Sequence, residues 1–143
     1  MNRLYPLLLS LLAGAQVFFI WISTQVVFPK AISALPREDP LRRNAADTVG
    51  GMLLRLDKAS LSIGAICALW AILQGHRLQA ALPAAVALSA ALSVLWITPE
   101  IHALREAGNT ASGRFGMLHG LSSGLLLLEI VLLCIAAWRA SRA

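Results

Sequence analysis

Residues 4–29 contain no acidic, basic or histidine side chain. A helix over those roughly 26 residues would extend roughly 39 Å, more than the apolar thickness of a bilayer. Two more uncharged runs follow at 59–75 and 78–99, and a last one at 115–138 is interrupted only by His119 and Glu129. Hydrocarbon cannot satisfy backbone amides, so a chain built from such runs has few options beyond helices that satisfy their own. The sequence predicts an all-α, four-helix transmembrane bundle of up-down topology, with spans at about 4–28, 53–75, 78–98 and 115–138. A chain of 143 residues leaves room for this single membrane domain and no soluble one.

Composition supports that reading. Hydrophobic residues make up 58% and charged residues 13%, with a mean hydropathy of +0.73. Soluble domains carry roughly 25% charged residues. The net charge of +5 and pI of 10.3 raise nucleic acid as a partner. The cations, however, are scattered between the apolar runs, where membrane topology accounts for them. The lipid bilayer is therefore the expected partner, and nucleic acid is not. Cys67 and Cys134 each lie inside an apolar run and read as small packing residues rather than a disulfide or redox pair.

Arg3, the apolar stretch 7–13 and Ala13-Gly14-Ala15 resemble a secretory signal with its cleavage site. The apolar run continues well past that point through Phe18, Phe19, Trp21 and Phe28, which favours an uncleaved first helix. Residues 30–58 are the longest polar stretch, with Pro36 and Pro40 bracketing a loop. A helical lead-in, amphipathic and capped by Asn44 or Asp47, is expected to feed the second span and leave Arg55, Asp57 and Lys58 near headgroups. Ser60, Gly64 and Ala68 form a small-residue ridge on that span. The short Gly75-His76-Arg77 turn makes spans two and three antiparallel neighbours. In span three Pro83 falls within the first turns, Ala81, Ala85, Ser89 and Ser93 form a ladder, and Thr98-Pro99 ends the run.

In the last span Gly116, Gly120 and Gly124 recur every four residues, with His119 and Ser123 beside them. Such a ridge lets a neighbouring backbone approach closely. Its expected partner is the Ala85–Ser89 face of span three, so that Gly120→Leu should wedge the two apart. Self-association through the same ridge is the alternative. The topology would also gather a polar cluster of His119, Arg114, Ser122, Ser123, Glu100, His102 and Arg105 at one end, beside Gln25, Asp57 and Lys58. His119, an ionisable group within a span, is a candidate for metal binding, proton relay or polar ligand contact. A structural hydrogen bond is the plainer expectation. Glu129 and Gln16 fall at matching mid-membrane depth. A charged Glu129 there would cost on the order of 3 kcal/mol, so it is expected to be protonated, inward-facing and bonded to Gln16 or a serine. A relay to His119 would have to bridge about 15 Å.

Paired histidines at matched depth are lacking, which argues against haem, and no cofactor is expected. Zinc or copper held by His102, His119 and Glu100 lacks a ligand-spacing signature, and whether any metal binds is left open. Nucleophile elbows, phosphate-binding glycine loops and Cys-x-x-Cys pairs are absent.

The run Arg114-Phe115-Gly116-Met117-Leu118-His119-Gly120-Leu121-Ser122-Ser123 resembles the hallmark of the transmembrane protein 205-like family. The resemblance extends to Gly14 with Phe18-Phe19, to Phe28-Pro29, and to Pro99-Glu100 with Arg105 beyond. It implies a small four-helix integral membrane protein, carried in bacteria as a domain of unknown function. Where that family often has an asparagine after the serines this chain has Leu126, and Glu129 stands one turn deeper.

Two functional readings follow. The first is a non-enzymatic structural or accessory membrane component, assembling with itself or with another membrane protein. The second is transport or tolerance of metal ions or small toxic solutes through His119, Glu129, Glu100 and His102. Eight of the twelve cations fall on the side of loops one and three, which places those loops in the cytoplasm of a bacterial inner membrane.

Overall fold

The computed structural model describes residues 3–142, and every element in it is helical. In order these are α1 (Leu4–Ile22), the short α2 (Lys30–Ser33), α3 (Pro40–Leu73), α4 (Arg77–Leu92), α5 (Thr98–Glu106) and α6 (Gly113–Ser141). Four helical stretches are long and apolar enough to cross a membrane: Leu4–Val27, Pro40–Leu73, Arg77–Glu106 and Gly113–Ser141. Leu7, Leu11, Phe18, Leu88, Leu95 and Leu127 all face outward, as befits a surface meant for lipid rather than water.

Two π-helical turns follow α1 at Ser23–Val27 and join α4 to α5 at Ser93–Ile97. Each stops just short of a proline, Pro29 or Pro99. Pro99 stays in the helix, where it has no N–H and its ring would crowd the Leu95 carbonyl four residues back, whereas the chain leaves the helix at Phe28, before Pro29. Widening the turn before Pro99 moves the Leu95 carbonyl aside, and the Phe28 and Thr98 amides donate to the carbonyls of Ser23 and Ser93.

The second spanning helix starts earlier than expected. Asp39, rather than Asn44 or Asp47, caps α3, its carboxylate accepting from the Leu41 amide at 2.9 Å. Pro40 then occupies the first turn, where its fixed φ and missing N–H suit a helix start. The helix, 34 residues from Pro40 to Leu73, runs unbroken through Gly50-Gly51. Gly75, at φ +81°, makes the turn from α3 back onto α4, a conformation that favours glycine.

The tight helix contact lies between α3 and α4. A Cβ on Gly64 would stand 2.9 Å from the Pro83 carbonyl oxygen and 3.1 Å from the Ala87 amide nitrogen. Glycine is what lets these two backbones meet. The ridge on α6 behaves differently, and the expected pairing with Ala85 and Ser89 is corrected here. Gly116, Gly120 and Gly124 are exposed, and a Cβ on any of them would meet nothing within 4 Å. The buried stripe of α6 is Leu118, Ser122, Leu126, Glu129, Leu133, Ala136 and Ala140. At 100° per residue the glycines lie about 160° around the helix from it. Burying Glu129 and Ser122 on one side leaves the glycines on the other.

The interior divides along its length. Tyr5, Leu9, Cys67, Ala71, Val86 and Leu133 belong to an apolar core toward the chain termini. Tyr5 closes its end, its hydroxyl donating to the Gln79 carbonyl at 3.3 Å and its ring meeting Trp70 edge-on. The other half mixes buried polar side chains with Phe19, Ile97, Leu118 and Leu126.

Candidate functional site

α1 presents Gln16 between Leu12, Ala13 and Phe19 on its buried face, and the side chain is fully enclosed. Its amide group donates to Glu129 Oε2 of α6 at 2.7 Å and to Ser60 Oγ of α3 at 2.9 Å. One carboxamide thus joins three of the four long helices. The Ser60 and Ser89 side chains also lie close to the Glu129 carboxyl, Ser89 without a hydrogen bond to it, which brings in α4. One turn beyond Ser89, at the start of the π-helical turn that follows α4, the Ser93 hydroxyl donates to Asp57 Oδ2 at 2.5 Å. Asp57 lies three residues before Ser60 on the same face of α3, which closes the circuit.

The result is a ring of six buried side chains: Gln16, Glu129, Ser89, Ser93, Asp57 and Ser60. Two of them are acids, with Glu129 1% and Asp57 3% exposed. No Lys, Arg or His is buried among the described residues. Two ring atoms, Gln16 Oε1 and Ser89 Oγ, have no hydrogen-bond partner although both are enclosed. Ser23, Thr98 and Ser122 are also buried, between the ring and the end that carries the 107–112 loop, and alternate there with Phe19, Ile97, Leu118 and Leu126. These polar groups lie on one side of the ring, because the apolar core occupies the other half.

Gln16 and Glu129 therefore meet. The cluster around His119 does not form. The His119 imidazole is exposed and stacks on Phe115, with ring centroids 6.2 Å apart and planes 4° from parallel. It stands one position off the buried stripe that includes Leu118 and Ser122, so the rotation that buries Glu129 turns the imidazole outward. Ser123 is exposed too, its hydroxyl donating back to the His119 carbonyl at 3.0 Å, while Ser122 faces in. Arg114 and Glu100 form a peripheral ion pair at 2.6 Å, and Arg105 reaches Asp47 at 2.8 Å. Among the described residues no group of three or more His, Cys, Asp or Glu side chains is placed to hold a metal, so Glu100, His102 and His119 do not converge on one.

Asp57 is the residue the sequence reading misplaces, at the headgroups beside Lys58. Only Arg55 and Lys58 are exposed there. The signal was available: the small face of Ser60, Gly64 and Ala68, extended one turn back, lands on Asp57. Compared with known proteins, the chain matches no family model, no curated protein and no solved structure.

Proposed function

We propose that this chain is a non-enzymatic structural or accessory protein of the bacterial inner membrane, related to the transmembrane protein 205-like group. Its four spans pass up and down through the bilayer, with loops one and three, residues 30–58 and 100–114, on the cytoplasmic side. The eight cations in those segments, against four on the opposite side, and the Arg114–Ser123 run support this reading. The observation that carries it is the outward face of α6. Three glycines at four-residue spacing lie open there, and His119 stands beside them, an imidazole directed away from the bundle within an apolar span. Smooth faces of this kind allow helices of separate chains to approach closely, and a polar ring facing lipid gains from a protein partner. A second copy of this chain, docked along α6, is the occupant that reading requires.

Energy transfer between donor- and acceptor-labelled copies in lipid vesicles tests it. The wild type is expected to show transfer that rises with the protein-to-lipid ratio and is competed by unlabelled protein. Gly120→Leu should abolish specific transfer while leaving the fold intact. Transfer that stays at the random-encounter level in the wild type, or survives unchanged in the variant, contradicts the proposal. Solute handling at a His119 centre has no comparable support, since its proposed partners lie apart.

A further inference from the structure

The ring of polar side chains does more than tie helices together, and this point is independent of how copies assemble. Two carboxyl groups are enclosed with no basic side chain buried beside them. Charged groups without partners are costly in such surroundings. Two oxygens of the same ring, Gln16 Oε1 and Ser89 Oγ, are more than nine-tenths buried and have no donor. Side chains from all four spans thus meet in one region that holds two acids and two unpartnered oxygens.

We propose that the ring is a binding site for one monovalent cation, a proton or an alkali-metal ion, reached from the end that carries the 107–112 loop, where Ser122, Ser23 and Thr98 are the buried polar groups. Carboxylate, amide and hydroxyl oxygens suit hard cations. Glu129 supplies the charge, and the free Gln16 and Ser89 oxygens, with Ser60, supply neutral ligands. Asp57 is held by Ser93 on the approach. A divalent transition ion fits less well, because its usual His, Cys and acidic ligands do not gather in threes among the described residues. Passage through to the far side is closed by the apolar core of Leu9, Cys67, Val86 and Leu133. The site is thus one-sided, and it reports the cation concentration or pH of a single compartment.

The groups that face Glu129 bear on any response to pH. From α1 there is Gln16, from α4 Ser89, and from α3 Ser60 with Asp57, the one titratable neighbour. The nearby cations Arg55 and Lys58 are exposed.

Thermal melting of the purified protein in detergent provides the test, with sodium titrated against choline at constant ionic strength, and pH titrated separately without sodium. An alkali-ion site raises the wild-type midpoint with sodium, by on the order of 5 °C at saturation. A proton site gives no sodium response and a midpoint that falls as pH rises and the bound proton leaves. Glu129→Gln, which keeps the shape but carries no charge to neutralise, should lose whichever response the wild type shows. Arg114→Ala, far from the ring, should keep it. Asp57→Asn and Ser89→Ala serve should Glu129→Gln fail to fold, each weakening apparent affinity about tenfold. A wild-type midpoint flat in both titrations overturns the proposal. So does a response that Glu129→Gln and Asp57→Asn leave unchanged.

Discussion

Glu129 decides how α6 is rotated. Turning the glycine ridge inward would set this carboxyl toward lipid, at a cost of several kcal/mol that close packing of three glycines does not offset. With Glu129 inward, Gln16 supplies the donor at 2.7 Å. That pair was legible in the sequence because two lone polar residues at equal depth in apolar runs have few other partners. Asp57 was harder to place, since the neighbouring Arg55 and Lys58 suggest a headgroup position and only the fold shows which side each takes. Replacing Gln16 and Glu129 by alanine singly and together should reveal a coupling of about 0.5–2 kcal/mol in detergent unfolding. Additive effects would mean the bond is not made. Arg114→Ala, by contrast, breaks only a peripheral ion pair and should change stability by less than about 1 kcal/mol in the same assay.

At the scale of helices, small residues mark close approach only where an opposing backbone arrives. Gly64 has one and Gly120 does not. Spacing alone cannot separate these cases, because small residues recur every four positions on α3, α4 and α6 alike. The antiparallel pairing of α3 with α4 was readable from the short turn, whereas the rotation of α6 depended on partners from other helices. Gly64→Ala should therefore cost about 1–3 kcal/mol, since Pro83 and Ala87 must move to admit a methyl group. Gly120→Leu should stay within about 0.5 kcal/mol of wild type when the protein is monomeric, a surface substitution in effect. Equal losses for both variants, read from melting midpoints, would argue against this arrangement. The π turns were not foreseen, although the Ser23…Pro29 and Ser93…Pro99 spacing that accompanies them is plain afterwards.

Across the whole molecule, an apolar half and a half in which polar and apolar side chains mix meet at the level of Gln16 and Glu129. The helix inventory followed from charge-free runs, since those lengths admit little else in lipid. The polar ring did not, because Gln16, Asp57, Ser60, Ser89, Ser93 and Glu129 are scattered along the chain and converge only once four helices are assembled. Everything turns on which face of α6 looks inward. Nitroxide labels placed singly along residues 116–136, in nanodiscs holding one copy each, measure that directly through their accessibility to dissolved oxygen. High values at Gly116, Gly120, Gly124, Leu127 and Val131 are predicted, with low values at Leu118, Ser122, Leu126, Glu129 and Leu133. The opposite phase, with glycine positions shielded and Ser122 and Glu129 open to lipid, would contradict the account.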